Sequence, residues 1–291
     1  MVNKRPETGF IGAGTVGTAL AVLLQRQGYP VIAVASRSRA SAEKLARQVP
    51  GCRAVNAPQD VADTVALVFI TTPDDAIARV AAAVKWRPEN SVVHCSGAAS
   101  TDILEPAKRA GARVGTIHPL QTLAGVEQAI ANIPGSTFGI EAEGQLLDTL
   151  KMIATELKGQ PIALKPSDKV LYHAAAVIAC NYLVTLVKLA TDLWQTFNVP
   201  TDTAAHALLP LVQGTLNNIA KIGIPGCLTG PIARGDTGTI RNHIAALDRA
   251  APGILKTYRD LGKQTVPVAL AKGKISEGQA KELEEILAGK S

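Results

Sequence analysis

Residues 9–17 place a glycine-rich turn directly after an apolar strand. They read Gly-Phe-Ile-Gly-Ala-Gly-Thr-Val-Gly, and an apolar helical stretch follows at residues 20–24. In Gly12-x-Gly14-x-x-Gly17 the first glycine permits a tight turn, the second lets a pyrophosphate approach the backbone, and the third lets helix and strand pack closely. A second strand, residues 31–35, lies at the expected distance. The pattern predicts a dinucleotide-binding unit whose first helix points its positive end at the phosphates. A turn without a ligand is the alternative.

The residues after the second strand indicate which dinucleotide is bound. In NAD-binding units an acidic residue about 20 residues beyond the glycines binds the ribose 2′-hydroxyl. This chain instead reads Ser36-Arg37-Ser38-Arg39. Hydroxyls and guanidiniums suit a 2′-phosphate, for which arginine is the best bidentate partner. NADP is therefore the expected cofactor, and a solvated basic turn is the alternative.

Strands alternate with helices through the first half of the chain. The sequence predicts further strands at residues 66–71, 91–95, 113–117 and 137–140, with helices at 40–48, 74–84, 101–110 and 144–157. This alternation predicts an α/β fold, a Rossmann doubly wound and mostly parallel sheet, with ligands beyond the carboxyl ends of its strands. The residues expected to bind the cofactor are Gly12, Ala13, Gly14, Thr15, Val16, Gly17, Ser36, Arg37, Ser38, Thr71, Thr72, Pro73, Ser96 and Gly97.

From Ser167 onward the pattern is helical without strands. We therefore expect an NADP-binding domain over residues 1–165 and an all-helical C-terminal domain over residues 166–291, which binds substrate and dimerises. Its first helix, residues 168–197, would be roughly 45 Å long. That helix is apolar nearly all round, so its surface must be covered on several sides. A second subunit supplies such cover, and a homodimer through the helical domain is expected.

Composition excludes several classes of function. Apolar residues make up 47% of the chain and aromatic residues only 3%, which is typical of helices packed on a parallel sheet. The net charge of +6 is scattered, so it favours anionic small molecules over nucleic acid. The 4 cysteines lack metal-ligand spacing, and no metal is expected. No signal peptide and no uninterrupted apolar span of about 18 residues is present, which predicts a cytoplasmic protein without a membrane segment.

Polar residues in the apolar helix are candidates for catalysis. His173 and Asn181 are separated by roughly 80° around the helix and about 12 Å along it, so they share a broad side. His173 is expected to donate a proton and Asn181 to orient the substrate. His118, directly after the predicted strand at residues 113–117, is the rival acid, with Gln121 nearby for substrate binding. The alternative for His173 and Asn181 is a core polar group whose hydrogen bonds are all formed within the protein. The alternative for His118 is a turn histidine bonded to backbone.

A glycine-punctuated loop later in the chain is a candidate carboxylate site. It runs Leu228-Thr229-Gly230-Pro231-Ile232-Ala233-Arg234-Gly235-Asp236-Thr237. Arg234 would bind a substrate carboxylate as a bidentate pair, with Thr229 or Thr237 in support. The alternative is a surface pair between Arg234 and Asp236.

Several segments together resemble one bacterial family. They are Gly12 to Gly17, His118-Pro119-Leu120-Gln121, Tyr172-His173 with Asn181-Tyr182, and Gly230-Pro231-Ile232-Ala233-Arg234-Gly235-Asp236. The family comprises Rossmann-like proteins with a C-terminal helical domain of unknown function, often labelled deazaflavin-type NADP oxidoreductases. It is similar in architecture to pyrroline-5-carboxylate reductases, ketopantoate reductases and 3-hydroxyacid dehydrogenases. The resemblance covers nearly the whole chain.

The resemblance implies an NADPH-dependent reductase of a small ketone or imine that carries a carboxylate, with 2-dehydropantoate as the leading substrate. One departure matters. The ketopantoate and 3-hydroxyacid enzymes carry a catalytic lysine four residues before an asparagine, whereas Val177 stands four residues before Asn181. Lys169 lacks this spacing, so the role of the lysine is not carried over. An NADP-binding sensor without turnover and a deazaflavin-linked NADP reductase remain alternatives.

Overall fold

A computed structural model describes residues 5–289 of the chain. These residues form two compact units, one ending at Cys180 and the other beginning at Asn181. The sequence predicts the boundary near Lys165. The first unit extends further because the helix after that position contributes Lys169, which is 0% exposed, to the interior of the sheet-containing unit. Each unit is described below by itself.

The first unit is built on one eight-stranded sheet with the order β3-β2-β1-β4-β5-β6-β7-β8. Its strands are β1 (Thr8–Ile11), β2 (Val31–Ala35), β3 (Arg53–Ala54), β4 (Leu67–Ile70), β5 (Ser91–His94), β6 (Arg113–Leu120), β7 (Thr137–Ala142) and β8 (Gln160–Ala163). Only the β6–β7 pair is antiparallel within residues 5–289. The predicted doubly wound, mostly parallel sheet is confirmed.

Helices cover both faces of this sheet. They are α1 (Thr15–Arg26), α2 (Arg39–Gln48), α3 (Pro58–Thr64), α4 (Asp74–Ala83), α5 (Glu105–Arg109), α6 (Val126–Asn132), α7 (Gly144–Glu156) and α8 (Lys169–Ala176). Two separate apolar clusters result, one with α1, α2, α6 and α7 and the other with α3, α4 and α5. Because the central strands are buried on both faces, they read as continuous apolar runs such as Leu-Val-Phe-Ile in β4.

Several elements differ from the sequence predictions. The short strand β3, the edge strand β8 and the helices α3 and α6 were not expected from the pattern. Strand β6 also continues to Leu120, beyond the predicted end at residue 117, because it pairs with β7 in antiparallel register, His118 opposite Gly139. His118 therefore lies within a strand and not after one, which fixes its position firmly.

The predicted continuous α-helix of residues 168–197 is interrupted. A 3₁₀ turn (Pro166–Asp168) leads into α8, a π-helical segment (Val177–Asn181) follows, and α9 spans Tyr182–Gln195. The stretch Pro166–Gln195 is long and apolar enough to cross a membrane, since an 18-residue window within it has a mean hydropathy of 1.8 and is 0% buried. One such helix is a weak indication, because a subunit interface exposes the same kind of surface. The expected absence of a membrane segment stays a prediction.

The second unit is helical, as predicted. It contains α9, α10 (Thr201–Ile222), α11 (Thr237–Ala250), α12 (Pro252–Ala271) and α13 (Glu277–Ala288). Helices α11, α12 and α13 enclose an apolar core that includes Ile240, Val266 and Leu283. In contrast, α9 and α10 pack on each other and leave large apolar side chains exposed, among them Val184 at 70% and Leu211 at 68%.

Candidate functional site

A cavity of about 690 Å³ opens where strands β1, β2 and β4 end. This is the edge at which ligands bind in open parallel sheets. The predicted cofactor-binding residues that line it are Gly12, Ala13, Gly14, Ser36, Arg37, Ser38, Thr71, Thr72 and Pro73. The structure therefore brings together residues from three separate loops that the sequence assigned to one nucleotide.

The glycines of the first loop have distinct structural roles. Gly12 has a φ of +117°, and a Cβ there would lie 2.6 Å from the carbonyl carbon of Thr71. The Thr71 hydroxyl donates to the Gly12 carbonyl at 2.8 Å. A Cβ on Gly17 would lie 2.5 Å from that same carbonyl oxygen, so α1 packs tightly on the loop. In contrast, a Cβ on Gly14 would meet no atom within 4 Å.

The start of α1 fits a phosphate group. Gly14 is its N-cap and provides no side-chain hydrogen bond, and no acidic residue stands in the first turn, which contains the predicted Thr15 and Val16. The first backbone N–H groups of a helix lack intrahelical partners and carry partial positive charge. Beside the loop, the buried Thr72 hydroxyl has no hydrogen-bond partner within residues 5–289, although it lines the cavity. The unused donors fit a phosphorylated nucleotide.

The basic turn after β2 divides into two parts. Ser36, Arg37 and Ser38 line the cavity. Arg39 instead donates to Glu43 at 2.9 Å and to Asn56 Oδ1 at 2.7 Å, and it is not part of the lining. Arg79 of α4 also lines the cavity, and sequence reasoning missed it because no motif marks that helix position. The structure thus places two arginines, Arg37 and Arg79, at the nucleotide cavity.

A second cluster lies at the end of β5, where two histidine rings meet over Gly97. A Cβ on Gly97 would be 2.7 Å from His173 Cδ2 and 2.9 Å from His118 Nε2, so only glycine leaves room for both rings. The ring centroids of His118 and His173 are 6.3 Å apart. Gly97, predicted to bind the cofactor, therefore forms the floor beneath the two candidate acids. Within residues 5–289 no three His, Cys, Asp or Glu side chains are grouped as metal ligands.

The protonation of His118 follows from its surroundings. Burial, then the positive charge of Lys169, then His173 lower the pKa of His118 to about 4, while Asp74 acts in the opposite direction. His118 is therefore neutral at pH 7, and it is a poor source of a full proton. His173 is half-buried in the same cluster and keeps the role of candidate acid.

Lys169 lies beneath this cluster and was not assigned a role from sequence. Its ammonium is 0% exposed and donates to the Ser96 carbonyl at 3.0 Å and to Thr116 Oγ1 at 2.9 Å. Burial lowers the pKa of Lys169, and the buried Glu141 carboxylate opposes this. Ser96, predicted to bind the cofactor, has its hydroxyl committed to Asp74 Oδ2 at 2.7 Å. Ser96 thus supports the loop that presents Gly97.

The other predicted substrate-binding residues lie apart from these clusters or in the second unit. Gln121 donates to Asn132 O at 3.3 Å and accepts from Thr122 N at 2.8 Å, so its amide is engaged locally. In the second unit, Asn181 and Thr229 are exposed. The Arg234 side chain is 66% exposed and lies 4.0 Å from Asp236, which caps α11 by accepting from Thr239. The roles of these residues stay predictions.

Two family models match the chain, and the second begins within the first structural unit. Residues 1–119 match a Rossmann-like domain, and residues 136–265 match a domain of unknown function, DUF2520. No curated protein matches the chain. A crystal structure from Bacteroides fragilis, BF3122, provisionally described as an NADP oxidoreductase, is 27% identical, with a TM-score of 0.71 over 89% of this chain and 96% of that chain.

More distant structures share the fold. A reductive aminase from Aspergillus terreus, in complex with NADPH and ethyl-5-oxohexanoate, is 17% identical, with a TM-score of 0.62 over 98% of this chain and 93% of that chain. A pyrroline-5-carboxylate reductase from Coxiella burnetii is 16% identical, with a TM-score of 0.59 over 96% of this chain and 98% of that chain. These matches confirm the fold that the sequence resemblance implied, a Rossmann-like domain followed by a helical domain.

The different surroundings of Gly12 and Gly14 give a prediction. Gly14→Ala is expected to cost about 1 kcal/mol of unfolding free energy or less, because its methyl group meets no protein atom. It should weaken NADPH binding by about tenfold, since the methyl group occupies the space beside the helix start. Gly12→Ala, which strains the backbone, should destabilise the fold by about 1–3 kcal/mol. Denaturant unfolding and NADPH fluorescence titration measure both effects. Unchanged NADPH affinity in Gly14→Ala would place the nucleotide elsewhere.

Proposed function

We propose that this chain, a Rossmann-like domain joined to a DUF2520 domain, is an NADPH-dependent oxidoreductase. Its substrate is a small ketone or imine that carries a carboxylate. One observation carries the proposal: the nucleotide cavity and the histidine cluster adjoin on one sheet edge. Pro73 lines the cavity, the next residue Asp74 accepts from Ser96, and Gly97 lies under His118 and His173. The NADP oxidoreductase description of the Bacteroides fragilis protein supports the same activity.

The chain's own residues account for cofactor binding. The open start of α1 and the space at Gly14 hold the pyrophosphate, and Ser36, Arg37 and Ser38 hold the 2′-phosphate. When bound, NADPH supplies a hydride to the substrate. The cavity is lined by Ile11, Ala35 and Val80 as well as polar groups, and these apolar side chains would contact the bound cofactor.

The proposed substrate roles of His173, Asn181 and Arg234 are those that the sequence predicts. His173 donates the proton that the reduced oxygen or nitrogen requires. Asn181 orients the reacting group, and Arg234 binds the carboxylate because its exposed guanidinium is available while Asp236 caps α11. Among named compounds 2-dehydropantoate is the leading candidate, which rests on the sequence resemblance.

A second candidate function is an NADP-binding sensor without turnover. Lys169 favours it, because this lysine is fully buried and bonded to Ser96 and Thr116, and is thus withheld from any substrate. Such a protein would keep the nucleotide cavity and lack a substrate reaction. Turnover measurements separate the two functions.

A cytoplasmic location is proposed as well. Cys52, Cys95, Cys180 and Cys227 are all free thiols. Free thiols are typical of a reducing compartment. Burial raises the pKa of Cys95 to about 12, so this thiol is unreactive at neutral pH.

Arg37 and Arg39 form a matched pair for testing cofactor choice. Arg37→Ala is expected to raise the Kd for NADPH by about tenfold or more, because a guanidinium–phosphate contact is lost, and to leave the Kd for NADH unchanged. Arg39→Ala removes the same charge outside the cavity and should change neither constant more than about twofold. Equal losses in both variants would show that Arg37 acts only through net charge.

His173 is tested by turnover. NADPH oxidation is measured with a panel of 2-oxo acids and cyclic imines that includes 2-dehydropantoate. With the best substrate, His173→Gln should lower kcat by about 10²-fold, because general acid catalysis is lost. His206→Gln, at an exposed site on α10, is the control and should leave kcat unchanged. A kcat for His173→Gln within about threefold of the parent would remove His173 from the chemistry.

We also propose a homodimer formed through the helical unit. The exposed apolar side chains of α9 and α10, such as Val184 and Leu211, supply the self-complementary surface that a two-fold interface needs. Sedimentation equilibrium at micromolar concentration should show a dimer, and Leu211→Glu should convert it to monomer. Arg249→Glu, on the surface of α11, is the control and should stay dimeric. A monomeric parent protein would contradict the proposal.

A further inference from the structure

His118 and Tyr172 form a half-buried hydrogen-bonded pair at the histidine cluster. The Tyr172 hydroxyl lies 2.9 Å from His118 Nδ1, and the two rings are nearly perpendicular, at 88° with centroids 5.6 Å apart. The phenol also lies against β7, where a Cβ on Gly139 would be 2.8 Å from its oxygen. Tyr172 thus connects the backbone of β7 to one nitrogen of His118.

The direction of this hydrogen bond determines where the imidazole proton lies. Burial raises the pKa of Tyr172 to about 12, so its hydroxyl is protonated at neutral pH. The phenol O–H is the expected donor to His118 Nδ1, because a neutral phenol is a stronger hydrogen-bond donor than acceptor. A neutral imidazole that accepts at Nδ1 carries its proton on Nε2. His118 Nε2 is the atom that lies over Gly97.

We propose that His118 acts as a neutral hydrogen-bond donor, through Nε2, to the carbonyl oxygen of a 2-oxo acid or similar ketone, and that Tyr172 is the positioning residue that fixes this tautomer. The proposal rests on the reductase function proposed above. In the reaction the carbonyl carbon gains a hydride, the π electron pair moves to oxygen, and the oxygen takes its proton from His173. His118 gives up no proton and stabilises the charge that develops on oxygen.

The charges around His118 favour a carbonyl over a protonated imine. The groups that face it are Lys169 and His173 of α8, Tyr172 of α8, and Asp74 of α4. The positive charge of the buried Lys169 acts on His118 and lowers its pKa, and the single carboxylate among these groups, Asp74, is already bonded to Ser96. The positive charge of Lys169 stabilises the negative charge that develops on a carbonyl oxygen. An iminium nitrogen would instead place a second positive charge beside Lys169, and the two would repel.

The chain contains a matched control for the pair. His243 Nδ1 lies 2.9 Å from the Tyr258 hydroxyl, and these rings are also perpendicular, at 82° with centroids 5.9 Å apart. This pair joins α11 to α12 within the second unit, whereas His118 and Tyr172 both belong to the first unit. Tyr258→Phe therefore removes the same kind of hydrogen bond without touching the candidate site.

The tautomer is measured by NMR of protein labelled with nitrogen-15 histidine, with the His118 signals assigned by their loss in His118→Asn. In the parent and in Tyr258→Phe, His118 should show a protonated Nε2 and a bare Nδ1 from pH 5.5 to 8.5. In Tyr172→Phe the two tautomers should mix. A parent protein with the proton on Nδ1, or a His118 that titrates near pH 6.5, would overturn the proposal.

Turnover in the same variants tests the substrate class. Tyr172→Phe should lower kcat for the best 2-oxo acid by about tenfold and leave the Kd for NADPH unchanged, because the oxygen loses a fixed donor. Tyr258→Phe should change neither. Faster reduction of cyclic imines than of any 2-oxo acid would overturn the carbonyl assignment. No turnover of either 2-oxo acids or cyclic imines would contradict the reductase function itself. The NMR result would then still decide the role of Tyr172.

Discussion

The buried ammonium of Lys169 holds the candidate site together. It joins α8 to the loop after β5 through the Ser96 carbonyl and to β6 through Thr116. A lysine that is 0% exposed is costly to bury, and its hydrogen bonds to two neutral acceptors offset part of that cost. Because α8 is docked by this contact, Tyr172 and His173 reach the sheet edge beside Gly97. The same charge helps to keep His118 neutral.

The two parts of the site differ in how far the sequence predicts them. The nucleotide loop is local: the spacing of Gly12, Gly14 and Gly17 fixes a turn and a helix start, and the structure confirms that these residues lie at the cavity or pack beneath it. Ser36 and Arg37 follow a strand whose end was also predictable. Arg79 was missed because its position depends on how α4 lies across the sheet, which no local pattern encodes.

The histidine cluster was only partly predictable, because it depends on tertiary packing. The sequence singles out His118 and His173 as polar residues next to apolar segments, yet it shows neither that they meet over Gly97 nor that Tyr172 bonds one of them. Strand β6 extends past the predicted end because of its antiparallel partner β7. Lys169 lacked the spacing of the lysine in related enzymes, and its burial beneath the cluster became visible only in the fold.

Direct hydride transfer is the most decisive measurement for the central claim. The protein is incubated with a 2-oxo acid panel and NADPH deuterated at either face of C4, and the products are analysed by mass spectrometry. We expect deuterium from one of the two faces, and from that face alone, at the carbinol carbon of one product, because a cofactor bound in one orientation would present one face of C4 to the substrate. Tight NADPH binding without deuterium transfer to any oxo acid or imine would contradict a reductase and favour a nucleotide sensor.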